Sequence, residues 1–278
     1  MIRIISILLF LFGAFPAFAY HPEDGIDLNA VVTNFDFAEY DDMRADKDKR
    51  KVVTEKGWIY GGDLEFKTTF NRIYVQANAG LHQGNVAYDG EAQGSGAKHK
   101  TRTLETIADY SFGIGRAYET WRRHDYSFIY AGVGFHQWVR DIESKDEVLG
   151  LYELYRWWYA HVGARGYLFR MGPVHVFGEI SILRTLVPEM TISFRQDNVD
   201  NVKLNLGEHY SAKFTLPIRI LLGRHFQMNL EPFWEAWDLG RSGHMDLTTQ
   251  GVVVGGVHEP RSTSRMWGMN IGFSMRFD

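Results

Sequence analysis

The feature that most restricts this chain is an alternation of apolar and polar side chains, repeated in long stretches from Asp27 to Phe277. Period two puts successive side chains on opposite faces of an extended strand, whereas an amphipathic helix buries every third or fourth residue. In Lys56–Phe70, Trp58, Tyr60, Leu64, Phe66 and Phe70 fall on one face and Asp63, Glu65 and Lys67 on the other. Ile73, Val75, Ala77, Ala79 and Leu81 are likewise set against Tyr74, Gln76, Asn78 and His82, and Phe214, Leu216, Ile218 and Ile220 against Lys213, Thr215 and Arg219. The alternation predicts ten strands, at Asp27–Tyr40, Lys56–Phe70, Ile73–Tyr88, Thr103–Tyr118, Tyr126–Asp141, Tyr152–Phe169, Val174–Val187, Tyr210–Leu222, Phe226–Asp238 and Met266–Phe277. They exceed the roughly five or six residues of an ordinary strand and reach the about 9–11 that a tilted strand needs to cross a bilayer.

The connectors alternate too. "NR", "TWRRHD", "RMGP" and "RHF" follow the even-numbered strands, while the odd-numbered ones lead into polar stretches such as "DDMRADKDKRKVVTE" and "PEMTISFRQDNVDNVKLNLGEH". Short turns at one end and long loops at the other are the asymmetry of an outer-membrane barrel, and an even strand count puts both ends of the barrel on the periplasmic side. A soluble sandwich shows the same alternation with its faces reversed. The amino-terminal segment helps to break that symmetry. Met1-Ile2-Arg3, an apolar run Ile4–Phe12 interrupted by Ser6, and Ala17-Phe18-Ala19 form a secretory signal whose apolar core is too short for a spanning helix. Residues 1–19 are therefore expected to be a cleaved signal peptide and residues 20–278 one barrel domain. The fold class is all-β, a transmembrane antiparallel up-and-down β-barrel of about ten strands. Eight or twelve stay open, because strand 1 and "TTQGVVVGGVH" (Thr248–His258) are ambiguous; the latter can form a hairpin above the membrane.

Composition narrows the partners. Cysteine is absent, which excludes disulfides and thiolate metal sites, and a formal charge of −4 argues against nucleic acid. The 28 glycines and 15% aromatic residues suit strands that end in aromatic belts and pack small residues inside. No P-loop, dinucleotide fingerprint or His-Glu-x-x-His is present, so neither cofactor nor metal is expected. Asp41, Asp42, Asp46 and Asp48 alternate with Arg44, Lys47, Lys49, Arg50 and Lys51 without the glycine and distal glutamate of an EF-hand. Such a loop suits water or lipopolysaccharide phosphates.

The chain closes on "NIGFSMRFD", in which Asn270, Gly272, Met275 and Phe277 resemble the C-terminal signal read by the outer-membrane assembly machinery; Asp278 adds one residue past the usual final aromatic. "NVAYDG", "YAGVGFHQWVRD", "YELYRWWYAHVG", "PFWEAWDLGRS" and "EPRSTSRMWGMNIGFSMRF" are similar to an uncharacterised family of bacterial outer-membrane barrels. That resemblance implies the fold, the outer membrane as location, and lipid, lipopolysaccharide and the assembly machinery as partners. It brings no activity with it.

The inward faces collect Asp36, Asp63, Glu65, Glu105, Asp109, Glu153, Glu179, Glu231 and Glu235 with Lys67, Arg140, Arg165, Lys213, Arg219 and Arg276, and with His82, His136, His161 and His175. A barrel of this size is narrow enough for side chains to fill, and confined charges must pair. Two roles follow: a structural salt-bridge plug, or a narrow conduit in which the acid excess favours cations. The alternative is an enzyme centred on His209. Ten strands with a histidine at the start of strand 8 resemble the omptins, outer-membrane proteases with an Asp-x-His pair there and paired acids in the second loop. Here Gly207 stands at the aspartate position, and the second loop offers Asp89 without the second acid of the pair. His209-x-Ser211 also matches the base–nucleophile spacing of outer-membrane lipid hydrolases, but the alternation turns Ser211 toward the lumen, beside Lys213.

Overall fold

In a computed structural model, the protein is described over residues 24–42, 51–91, 96, 98–119, 126–145, 148–195 and 199–277. The expected signal peptide, residues 43–50 of the first loop and Asp278 lie outside these residues. Fourteen strands occupy the described chain: β1 (Gly25–Tyr40), β2 (Lys51–Phe70), β3 (Ile73–Glu91), β4 (Lys98–Glu119), β5 (Tyr126–Ile142), β6 (Leu151–Met171), β7 (Val174–Phe194), β8 (Val202–Asn205), β9 (Tyr210–Thr215), β10 (Ile218–Leu221), β11 (Phe226–Leu239), β12 (Met245–Thr249), β13 (Val252–Val257) and β14 (Arg261–Arg276).

Neighbours in sequence pair antiparallel from β1 to β7; β7 then pairs with β9 and β10, both of these with β11, β11 with β14, and β14 with β1. The ring is closed and has ten staves, since β9 and β10 are one stave broken at Leu216-Pro217. The break costs no ladder bond: Leu216 N donates to Pro232 O (2.9 Å), and Phe177 N donates to Pro217 O (2.8 Å). β12 and β13 form a separate hairpin in the last loop, as "TTQGVVVGGVH" allowed. Closure leaves no sheet edge open to lipid, which a membrane-spanning sheet requires.

Which face is outside follows from β1. Leu28 is 67% exposed, while its neighbours Asp27 and Asn29 are 1% and 7% exposed. The apolar face therefore points outward, the reverse of a soluble sandwich. Trp58, Trp267, Trp234 and Phe214 are all exposed and stand side by side across the staves. Such a row is the aromatic girdle expected at a membrane–water interface. The staves run well past it. β4 has 22 residues, about 70 Å of strand at ~3.3 Å per residue. Even tilted by about 40°, that exceeds the ~25 Å apolar band, so the barrel projects as a cup on the long-loop side.

Several expectations change in detail. Strand 7 does not stop at Val187 but continues to Phe194 beyond a bulge at Val187-Pro188. Pro188 ends a strand in sequence terms because it lacks an N–H. Here its carbonyl still accepts from Leu206 N (2.8 Å), and β8 extends the wall beyond it. Asp36 is not in the lumen; it faces out and pairs with exposed Lys56 (2.7 Å). Phe35 and Phe37 flank it on the inward face and are fully buried, which breaks the polar-in rule at that level. The two-residue turn Asn71-Arg72 has φ of 48° and 69°, the left-handed pair of a type I′ hairpin, so the shortest periplasmic connection fits the strand twist.

Candidate functional site

The lumen is filled in three layers. At the periplasmic end, Lys67 Nζ lies between Asp27 Oδ2 (2.8 Å) and Glu65 Oε2 (2.7 Å), and Arg219 Nη2 meets Asp27 (3.4 Å) and Glu231 (3.3 Å). Arg165 grips Glu179 Oε2 through Nη2 (2.6 Å) and Nε (2.8 Å), and Tyr130 donates to the other Glu179 oxygen. Arg276 is buried in the same half, as are Asn270 and Ser274, while Ile271, Phe273 and Met275 face lipid. The alternation of the closing strand is thus a lumen face and a lipid face, and Phe277 rests against Phe66.

Above this plug lies a polar cavity of about 150 Å³. Asp63–His82 (2.8 Å), Asp109–His136 (3.0 Å) and Lys213–Glu235 (3.6 Å) line it, with His161 between them; Tyr159 donates to Asp109 (2.8 Å). Tyr159 sits directly across the ladder from Gly134, over which its ring lies, so any side chain at 134 would collide with it.

The third layer spans the lumen with aromatic rings. His136 stacks on Trp157 (4.2 Å between centroids), Trp157 and Trp237 are 5.6 Å apart, and Trp138 stacks on Tyr155 (4.8 Å) and meets Phe37 edge-on (5.1 Å). The gap left among these rings is about 10 Å³, at or below the volume one water needs. On top sits Arg140, fully buried, with Nη1 donating to Glu39 (2.8 Å), Glu153 (2.7 Å) and Tyr155 Oη (3.1 Å), Nε donating to Glu55 (3.2 Å), and its guanidinium 4.3 Å from the Phe37 ring centre. Glu105 lies beneath, accepting from Trp138 Nε1. Tyr155 in turn donates to Glu259 in the last loop (2.7 Å). Three carboxyl groups therefore meet one guanidinium, and those of Glu105 and Glu259 sit one hydrogen-bonded ring further out.

Above Arg140 opens a vestibule of about 790 Å³. Its walls set Val53, Ile142, Leu151, Ile192, Leu247 and Val257 beside His99, His244 and His258, with Asp41 and Glu91 also in the lining, and Glu39, Arg140, Glu153 and Glu259 form its floor.

All of the expected lumen residues, from Asp63 to Arg276, face inward, but they form separate groups rather than one path. The sequence reading missed Asp27, Glu39, Glu55 and Glu259. The signal for three of them is phase: Glu39 is in step with Asp27, Asn29 and Thr33, and Glu55 with Asp63, Glu65 and Lys67. Glu259 sits in a loop, where no phase exists.

The enzyme candidates stay apart. Ser211 is buried in the lumen and its Oγ has no hydrogen-bond partner among the described residues; His209 is held by its backbone, its N–H donating to Thr185 Oγ1 (2.8 Å). A base that activates a nucleophile must bond to it, and no His209–Ser211 bond occurs. Asp89 lies on the outer surface paired with Lys100 (2.8 Å), while Glu208, next to His209 in sequence, pairs with Arg184 of β7 (3.1 Å). Among the described residues, no group of three or more His, Asp or Glu side chains is arranged to hold a metal.

These features define the class: a closed, lipid-facing barrel of the outer-membrane type. No protein-family model matches the chain, and no curated protein matches it in sequence. Among solved structures, the chain is similar to the outer membrane protease OmpT from Escherichia coli, with a TM-score of 0.60 at 10% identity over 94% of this chain and 99% of that one. It also aligns with the translocator domain of the autotransporter NalP from Neisseria meningitidis (TM-score 0.42, 10% identity, 99% and 95% covered). A third alignment is with the outer membrane protein OprG from Pseudomonas aeruginosa (TM-score 0.38, 11% identity, 91% and 97% covered). At such identities the OmpT match carries the ten-stave architecture and no activity.

Proposed function

We propose that this protein is an integral outer-membrane barrel whose lumen is sealed to passive flow and whose working surface is the cup on the long-loop side. The carrying observation is the aromatic layer, in which His136, Trp138, Trp157 and Trp237 leave only about 10 Å³ between rings. The three charge groups, at Lys67, Asp109 and Arg140, are then structural, each pairing charges that would otherwise stand alone in a confined interior. On this reading residues 1–19 are removed during export, the Asn270–Phe277 strand is what the assembly machinery recognises, and the outward band and loops meet lipid and lipopolysaccharide.

Planar-bilayer recording of the refolded mature chain tests this. The native protein stays silent, and Trp157→Ala with Trp237→Ala together produces openings, because removing two indoles joins the polar cavity to the vestibule. Steady cation-selective openings from the native protein, weakened by Glu65→Gln and Glu105→Gln, would refute the seal and favour a narrow cation channel instead.

A further inference from the structure

We infer that the vestibule above Arg140 is a binding site for a small organic cation, an ammonium or amidinium group carried on an apolar body. The inference rests on the reading that the cup is the working surface.

Three observations carry it. The first is size and lining: about 790 Å³ lies within the ~300–1,000 Å³ of sites that hold a small molecule, and such sites combine apolar walls with a few placed polar groups. The second is charge. Glu39, Glu55 and Glu153 converge on the single guanidinium of Arg140, and Glu259 joins them through Tyr155, so the floor has more acid than base. The third is unused bonding capacity. Glu39, Glu153 and Glu259 are 7%, 6% and 4% exposed, and each spends one carboxyl oxygen on Arg140 or Tyr155. The second oxygen of each has no hydrogen-bond partner among the described residues, yet none of these three oxygens is sealed from the cavity. Carboxyl oxygens that face a cavity without a protein donor are free to accept from a ligand. A ligand bringing N–H donors and one positive charge would meet these oxygens and take the place of the proton that burial otherwise holds on Glu259.

The same geometry argues against other occupants. Arg140 stands among the acids, so a compact divalent ion would meet a cation at contact range. An anion would face the acid excess. A neutral apolar molecule would fill the walls but leave the three oxygens as they are. A monocation with an aromatic or aliphatic body satisfies both parts of the site.

The test is isothermal titration calorimetry on the refolded mature protein in nonionic detergent, with three probes of one shape: phenethylammonium, phenethyl alcohol and 3-phenylpropionate. Phenethylammonium should bind saturably, one per barrel, and about tenfold or more tighter than the alcohol, the discrimination expected of a charge-assisted hydrogen bond. Glu259→Gln should lose that margin; its amide oxygen can still accept from Tyr155, which protects the fold. Leu247→Trp, on the separate hairpin, keeps every acid but fills the cleft and should abolish binding. Equal binding of ammonium and alcohol would overturn the inference by reducing the site to an apolar slot. Tighter binding of the carboxylate would overturn it in favour of Arg140 as the recognising group. Absence of saturable ammonium binding to folded native protein would overturn it as well. Calorimetry and conductance are read separately, so a leaky barrel and an empty vestibule are distinguishable failures.

Discussion

Replacing Arg140 by methionine is the sharpest probe of the lumen. The native guanidinium donates to three glutamates and a tyrosine within 3.2 Å, and at 1% exposure it has no water to turn to. Methionine fills similar volume, so the change is chiefly electrostatic. It leaves Glu39, Glu55 and Glu153 facing each other without a counter-charge, and breaking a buried ion pair this way costs about 3–5 kcal/mol. The stacking on Phe37 adds ~1 kcal/mol. A loss of roughly 4 kcal/mol at pH 7 is therefore expected. Lowering the pH favours the neutral form of carboxyl groups left without a counter-charge, so the cost should shrink toward that of the lost hydrogen bonds and packing, ~1 kcal/mol. Arg140→Lys keeps the charge but not the fork of donors, and should fall between. The assay is urea unfolding of the detergent-refolded barrel, followed by tryptophan fluorescence and heat-modifiable gel mobility, at pH 4 and pH 7. An unchanged midpoint at pH 7, or a penalty that grows as pH falls, would refute the reasoning.

Three further outcomes are expected. Burial, with Glu39 and Glu153 beside it, pushes the Glu259 carboxyl well above its usual range. The folded chain then keeps a proton that the unfolded chain releases, so stability falls as pH rises upward from about 4.5, and Glu259→Gln should flatten that slope; unfolding midpoints between pH 4 and pH 8 that decline equally in both proteins would contradict it. Lys67→Met takes the 2.7 Å ion pair from Glu65 and the 2.8 Å one from Asp27, which keeps only Arg219 at 3.4 Å, and should destabilise the periplasmic half by about 3 kcal/mol in the same urea assay. Ile271→Arg puts a charge on the lipid face of the closing strand and should cost up to about 2–4 kcal/mol, measured as folding yield into phosphatidylcholine vesicles, whereas the native chain folds fully.

Local alternation carries much of this protein. Ile73–Tyr88 and Tyr126–Asp141 lie within the observed β3 and β5, and Thr248–His258 overlaps the observed hairpin, because which face a side chain takes depends only on its parity along one strand. For the same reason Lys67, Glu105, Arg165 and Arg219 could be assigned to the lumen from sequence alone. Parity fails where the rule of polar side chains inside is itself broken. Phe35 and Phe37 turn inward to build the aromatic layer, and this placed Asp36 on the wrong side and hid Glu39. Parity is also silent about who meets whom across the barrel. Arg140 lies 101 residues from Glu39 and 85 from Glu55, and Tyr155 lies 104 from Glu259. Those meetings depend on the stagger between staves and on closure of β1 against β14, which accumulate over the whole ring. The amino-acid order by itself determined a lipid-facing barrel with a charged interior. Only the closed tertiary structure decided that aromatic rings stack across the interior, and that three carboxyl groups meet one arginine beneath an open cup.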